Sequence, residues 1–158
     1  MKVMVTGHRP IKLGGYDRDN PLRSRINEQV KNILRNVNEV VAVTGITGMA
    51  IGTDQDFALI CKELEIPYLA YVPFEGQESV WPAIAKEEYY DLLSSSDEVI
   101  FVNKGNYTPK KMQLRNEAMA NEADLAIAVW NGDTRGGTYN CISYLKTQKK
   151  VPIIYVEA

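Results

Sequence analysis

The sequence lacks any long hydrophobic stretch. Its apolar runs are short and interrupted, and none approaches the roughly 20 residues that a helix needs to cross a bilayer. The N-terminal MKVMVTGHRP has too short an apolar part for a signal peptide and resembles a first strand. We therefore expect no membrane segment and a cytoplasmic location.

Cysteine and histidine are also scarce. The 158 residues include two cysteines, Cys61 and Cys141, and one histidine, His8. Both cysteines lie in apolar, helix-like surroundings, which is typical of reduced structural thiols. Because so few thiol and imidazole ligands are available, we predict no metal site and no required cofactor.

There is no strong excess of charge of either sign. The formal net charge is -2, and both signs occur along most of the chain. General nucleic-acid-binding domains are usually basic, so we predict that nucleic acid is not the main partner.

What the sequence does contain is a regular alternation of β-rich runs and segments with apolar residues at helical spacing. The predicted strands cover 2–6, 39–44, 68–72, 98–102, 124–129 and 152–156, and the predicted helices cover 21–37, 52–64, 81–96, 109–123 and 137–150. This alternation indicates a parallel sheet covered on both faces. We predict one α/β domain over residues 1–158, a Rossmann-like three-layer domain with a mainly parallel sheet.

Ligands bind beyond the carboxyl ends of the strands in this fold class, so the segments after the strands are the candidates for a site. The first connection, 8–20, is long for its type. Gly7 permits a close approach of the backbone, and Arg9 can donate a fork of hydrogen bonds to a phosphate or carboxylate. His8 is either a ligand donor or a structural residue.

Two glycine-rich turns each lead into a helix, an arrangement that suits an anion because free N–H groups and the helix dipole point at it. The candidate residues are Gly45, Gly48, Gly52 and Asp54 in the first turn, and Gly132, Gly136, Gly137 and Thr138 in the second. Neither turn has the dinucleotide or P-loop pattern. The alternative for the first turn is helix packing, with Thr53 or Asp54 as N-cap.

Two other strand ends add polar and aromatic candidates. Gln77 and Trp81 can hydrogen-bond and stack on a planar base, unless Trp81 only packs a helix start. Arg115 and Asn116 lie on a helix whose methionines face the core, so we expect them to point at a site. Together these residues predict a phosphorylated nucleoside between the two turns, with Arg9 and Arg115 on its anionic part.

The segment KMQLRNEAMANEADLAIAVWNGDTRGGT resembles the M-x-x-R-[KN]-x-x-M…AD-x-x-IA…GG-x-GT signature of the SLOG superfamily. VTGHRP, G-x-A-x-G-x-D at 48–54 and PFEGQESVW are most similar to its YpsA-type branch. The resemblance covers nearly the whole chain. It implies a Rossmann-like fold that binds nucleotides or nucleotide-derived ligands, with Arg115 and the loop 136–138 at matching positions.

One position departs from the hydrolytic members of that superfamily. The LOG phosphoribohydrolases continue G-T-x-x-E, and the resemblance implies that this glutamate serves cleavage of the N-glycosidic bond. Cys141 stands there in this chain, and a buried thiol is a poor substitute for a catalytic carboxylate. The sequence therefore favours a sensor or sequestering protein for a nucleotide-type ligand, rather than an enzyme.

Two alternatives stay open. The chain is a nucleotide N-glycosidase or phosphoribohydrolase if Asp54, Glu75 or Asp133 supplies the carboxylate. DprA-like DNA binding is the other alternative, for which a small basic patch is available at Lys104, Lys110 and Lys111. We also expect a homo-oligomer, because SLOG relatives commonly assemble and the nine tyrosines allow it.

Overall fold

The computed structural model describes every residue from Met1 to Ala158. Six strands form one sheet: β1 (Lys2–Gly7), β2 (Thr44–Thr47), β3 (Tyr68–Val72), β4 (Glu98–Phe101), β5 (Leu125–Trp130) and β6 (Ile153–Glu157). The five α-helices are α1 (Pro21–Val40), α2 (Thr53–Glu63), α3 (Ala83–Ser95), α4 (Pro109–Glu122) and α5 (Gly137–Tyr144), and a π-helical segment (Leu145–Lys149) follows α5. No helix has the length and hydropathy that crossing a bilayer requires.

The sheet is parallel throughout, in the order β4-β3-β2-β1-β5-β6. The chain builds outward from β1 to β4 and then returns to the free side of β1 with β5. Strand order therefore reverses between β1 and β5, and this reversal opens a crevice at the carboxyl ends of the strands. The predicted Rossmann-like α/β fold is confirmed.

Helices cover both faces of the sheet and create two cores. On one face, α1, α2 and α3 pack over a core that includes Phe57 and Val3. On the other face, α4 and α5 pack over a core that includes Met119 and Met4. Neighbouring residues of β1 thus belong to opposite cores, which is why the strands of this sheet are almost continuously apolar.

The second strand was predicted in the wrong place. The prediction was 39–44, whereas α1 continues through Val40 and β2 begins at Thr44. Val40 is 88% exposed and Ile46 is fully buried. The valines around position 40 fit a strand or a helix equally well, and the strand is positioned by its pairing with β1, which sets Lys2 opposite Thr44.

Candidate functional site

A cleft of about 360 Å³ lies at the carboxyl ends of β1, β2 and β5, where strand order reverses. The loops after these strands and the first turns of α4 form its walls. Nine of the predicted site residues line the cleft: Gly7, His8, Arg9, Asp54, Arg115, Asn116, Gly136, Gly137 and Thr138. The fold thus brings together segments that are more than 100 positions apart, such as His8 and Thr138.

Arg115 forms the deep wall of the cleft and is only 4% exposed. Its Nη1 donates to the carbonyl of Gly48, and its Nε donates to Asn116 Oδ1 over 2.8 Å. Its Nη2 has no hydrogen-bond partner in the protein, and since no fully buried side-chain nitrogen or oxygen lacks a partner, Nη2 is accessible from the cleft. Burial lowers the pKa of Arg115, and the charge of Asp54 opposes that shift. The guanidinium stays charged at neutral pH, so the cleft contains a buried cation with an unused donor.

Asp54 is the only carboxylate among the residues that line the cleft. Its Oδ2 accepts a hydrogen bond of 3.2 Å from the backbone N–H of Ala50, and its Oδ1 has no partner in the protein. Burial raises the pKa of Asp54, while the nearby charge of Arg115 lowers it. The free oxygen can accept a hydrogen bond from a ligand hydroxyl.

The predicted N-cap of α2 is wrong. Gly52 occupies the N-cap position and no side chain caps the helix. The backbone N–H and the hydroxyl of Thr53 both donate to the carbonyl of His8, over 3.2 and 3.0 Å. The start of α2 is therefore held by the loop after β1, and Asp54 is left to face the cleft.

The three glycines before α2 do not line the cleft, because protein atoms already fill the space beside them. A Cβ at Gly45 would lie 2.9 Å from Sγ of Cys61, and one at Gly52 would lie 2.8 Å from a carbonyl of the loop after β1. A Cβ at Gly48 would overlap the guanidinium of Arg115. This turn packs α2 against the sheet and contacts the guanidinium of Arg115. The packing alternative that the sequence left open for this turn agrees with this structure.

The turn before α5 is open instead. Apart from the adjoining residues and the backbone of α5 itself, no heavy atom lies within 4 Å of the place that a Cβ at Gly136 or Gly137 would take. α5 begins at Gly137 without a side-chain cap, and the first N–H groups of a helix have no acceptor within the helix. Gly132, which has a φ of 90°, lies outside the cleft and shapes the preceding turn. The start of α5 therefore offers open backbone N–H groups to the cleft, an arrangement that suits an anion.

His8 connects the loop after β1 to the loop after β5. It is 5% exposed, and its Nε2 lies 3.0 Å from Oδ1 and 3.1 Å from the backbone N of Asn131. Its Nδ1 lies 3.4 Å from the hydroxyl of Thr138. Burial, followed by the charge of Lys12, lowers the pKa of His8. The imidazole is therefore neutral at pH 7, and it is both a structural link and part of the cleft wall.

The mouth of the cleft is cationic. Arg9, Lys12 and Arg135 line it together with the deeper Arg115. Asp133 accepts from Arg135 Nε and from Lys12 Nζ, each over 3.1 Å, and these contacts hold the pKa of Asp133 well below its usual range. The residues lining the cleft thus carry four cationic groups and one carboxylate, which favours an anionic ligand.

The sequence prediction missed several lining residues. Lys12 and Arg135 contribute two of the four cations, and the signal was available, since each is a basic residue in a segment that follows a predicted strand. Ile11, Ile51 and Met112 add apolar surface. They had no distinguishing signal, because apolar residues in a loop or a helix are usually assigned to packing.

Gln77 and Trp81 lie outside the cleft. Gln77 lines a separate groove, and its Nε2 donates to the Tyr89 hydroxyl over 3.3 Å. Trp81 packs edge-on against Tyr89, with 5.2 Å between the ring centroids, and contacts the core beneath α3. The structure gives Trp81 the packing role that was the alternative to stacking on a base.

Cys141 is fully buried and does not line the cleft. Burial raises the pKa of its thiol to about 11. The thiol is protonated at neutral pH and is therefore not a nucleophile or a base there. No three histidine, cysteine, aspartate or glutamate side chains form a cluster that could hold a metal ion.

A family comparison agrees with this geometry. The YpsA family, described as the YspA SLOG family, matches residues 3–157. The chain belongs to this family. It is 36% identical over 118 residues to the SPbeta prophage-derived protein YoqJ of Bacillus subtilis, which covers 64% of this chain and 68% of that protein. It is 24% identical over 163 residues to a UPF0398 protein of Oceanobacillus iheyensis, covering 99% and 89% of the two chains.

Among solved structures, the chain is similar to DNA processing protein A (DprA) from Streptococcus pneumoniae. The TM-score is 0.70 at 15% identity, and the match covers 99% of this chain and 50% of that one. This chain thus spans half the length of DprA, and the likeness concerns the fold. The predicted membership of the SLOG superfamily is confirmed.

Proposed function

We propose that this SLOG-family chain binds a nucleotide or nucleotide-derived ligand in the cleft and holds it intact, as a sensor or sequestering protein. The observation that carries the proposal is Arg115, whose Nη2 lacks a partner although the residue is 4% exposed. Every fully buried side-chain nitrogen and oxygen of the chain has a hydrogen-bond partner, so Nη2 is the part of this buried guanidinium that is accessible from the cleft. A ligand anion that accepts from Nη2 would form a charge-assisted hydrogen bond there.

The remaining polar groups suit the other parts of a phosphorylated nucleoside. Phosphate oxygens match the open start of α5 at Gly136 and Gly137, where backbone N–H groups can donate. Arg9 and Arg135 add positive charge at the mouth. The free Oδ1 of Asp54 is an acceptor for a sugar hydroxyl.

The same site offers little for cleavage. Glycoside hydrolysis usually uses a pair of carboxylates, and Asp54 is the one carboxylate that lines the cleft. Asp133 is engaged by Lys12 and Arg135. Glu75 lies in the separate groove, and Cys141 is buried. This supports holding the ligand over the hydrolase alternative.

Calorimetric titration with adenosine and guanosine monophosphates, dinucleotides and cyclic nucleotides tests binding, and chromatography of the same mixtures tests cleavage. We expect binding with recovery of intact ligand. Arg115→Ala should weaken binding roughly tenfold to a hundredfold, the usual contribution of a charge-assisted donor. Arg35→Ala, which removes an exposed arginine of α1, is the matched control and should bind like the wild type.

Two results would contradict the proposal. Repeated turnovers that release free base or ribose phosphate would show an enzyme and would direct attention to Asp54. Equal affinity of a folded Arg115→Ala variant and the Arg35→Ala control would remove Arg115 from the site.

The cationic mouth also favours a second candidate, single-stranded DNA, which fits the fold similarity to a DNA processing protein. Binding through phosphates weakens steeply with salt. Fluorescence anisotropy with a labelled oligonucleotide at two salt concentrations tests this candidate. Tight, salt-sensitive binding that mononucleotides do not displace would favour DNA over a small nucleotide.

A further inference from the structure

A second groove of about 640 Å³ lies between the loops after β3 and β4, and the proposed function does not use it. We call it the β3–β4 groove and define it by Phe74, Gln77, Val80, Asn106 and Tyr107. It opens at the carboxyl edge of the sheet, as the cleft does. Its size falls within the usual range of small-molecule sites.

An aromatic surface is available in the β3–β4 groove. The rings of Phe74 and Tyr107 meet edge to face, with 6.2 Å between their centroids. Phe74 is 7% exposed, whereas Tyr107 is 62% exposed. The buried ring therefore anchors an exposed one, an arrangement on which a planar base can stack.

A polar group with a free acceptor accompanies this surface. Gln77 is 8% exposed, and while its Nε2 donates to the Tyr89 hydroxyl, its Oε1 has no hydrogen-bond partner in the protein. Glu75 adds a carboxylate from the same loop. Acceptors of this kind match the amino group of a heterocycle such as adenine.

The β3–β4 groove and the cleft are close neighbours. Asn103 Nδ2 donates to the carbonyls of Pro73 and Lys111, over 3.0 and 3.3 Å, and Lys111 directly precedes Met112, which lines the cleft. Pro73 directly precedes Phe74 of the groove, and Tyr107 lies two residues before the start of α4. One ligand of extended shape can therefore reach both.

We propose that the β3–β4 groove binds the second nucleobase of a dinucleotide whose phosphates lie in the cleft. This inference rests on the proposed function, because the cleft must hold the anionic part. The cleft supplies Arg115 and the open start of α5 for the phosphates, and the groove adds an aromatic surface and a free acceptor for a base. The ligand class is two nucleosides joined by a diphosphate.

Calorimetry with adenosine monophosphate and diadenosine diphosphate tests the proposal on the wild type and two variants. The wild type should bind the dinucleotide roughly tenfold or more tightly than the mononucleotide, the order expected for one stacked base. Tyr107→Ala should lose that advantage while binding adenosine monophosphate normally. Tyr107→Phe keeps the ring and should retain the advantage.

Four other outcomes would each contradict a different part of the proposal. A dinucleotide that binds the wild type no more tightly than the mononucleotide overturns the role of the groove and leaves the cleft function intact. Equal loss of both ligands in a folded Tyr107→Ala variant would place the single base in the groove and reject the two-part ligand. Failure of the wild type to bind either nucleotide rejects the cleft function itself. Sensitivity to Tyr107 for a DNA oligonucleotide alone would assign the groove to nucleic acid.

Discussion

The two glycine-rich turns of this chain resemble each other in sequence and differ in structure. In the turn after β2, Gly48 abuts the guanidinium of Arg115, and Gly52 abuts a carbonyl of the loop after β1. In the turn after β5, Gly136 and Gly137 have no atom within 4 Å of a Cβ position. One turn is closed by the protein, and the other leaves bare backbone beside the cleft.

The difference shows that a glycine-rich turn before a helix is not by itself an anion site. The N–H of Thr53 at the start of α2 already donates to the His8 carbonyl, so it is not available to a ligand. The closed turn serves the site indirectly, because it positions Arg115 and Asp54. The open turn leaves the start of α5 available for direct contact.

Gly48→Ala should disturb the closed turn most. The new methyl group would overlap the buried guanidinium of Arg115, so the guanidinium or the turn must move. Overpacking and loss of the hydrogen bond to the Gly48 carbonyl should lower the free energy of unfolding by roughly 3 kcal/mol. Urea denaturation measures this change, and an unaltered midpoint would show that the turn is not packed on Arg115.

Gly136→Ala, in the open turn, should lower the free energy of unfolding by an intermediate amount. The residue has a φ of 97° and a ψ of -176°, a conformation that strains any L side chain by about 1–3 kcal/mol. Gly15→Ala is a matched control, since Gly15 has a φ of 116° and open space but lies outside the cleft. Both variants should lose stability, and only Gly136→Ala should also lose nucleotide affinity. Equal affinity of the two would separate Gly136 from the site.

Lowering the pH should weaken the link that His8 makes between the two loops. The unfolded chain takes up a proton near the ordinary pKa of 6.5, while burial lowers the pKa of His8 in the folded chain. The stability from neutral His8 is therefore fully present above about pH 6.5 and is lost as pH falls through the folded-state pKa. Urea denaturation of the wild type and of His8→Gln, at pH values above and below 6.5, should show that the difference between their free energies of unfolding shrinks as pH falls. A constant difference would contradict the assignment.

Gly137→Ala should have the smallest effect on stability of these substitutions. Nothing lies within 4 Å of the new methyl group, and alanine suits a helix, so the free energy of unfolding should stay within about 0.5 kcal/mol of the wild type. The methyl group lies beside the cleft, so affinity for adenosine monophosphate should fall. Affinity equal to that of the wild type would place the phosphate elsewhere.

The sequence predicted most of the fold and the edge of the sheet that carries the site. Continuous apolar runs that alternate with apolar residues at helical spacing indicate parallel strands and covering helices. The rule that ligands bind at the carboxyl ends of strands led to Arg9, Arg115 and Thr138. The prediction failed at the second strand, where Val40 fits either kind of element. It also left out Lys12 and Arg135, because the second turn was predicted from its glycines and the first loop from Gly7, His8 and Arg9, without the basic residues next to them.

By itself, the sequence determined the order of strands and helices, the family and the residue types at the strand ends, since these depend on local periodicity and on motifs. Which glycines have open space beside them, and which donors have no partner in the protein, depends on how the chain folds. The partner of a buried group comes from a remote segment, as when the Arg115 guanidinium donates to the carbonyl of Gly48, 67 positions away. Periodicity and motifs do not reveal which remote residues come into contact. Nη2 of Arg115 is therefore recognised as a candidate ligand contact only in the folded structure.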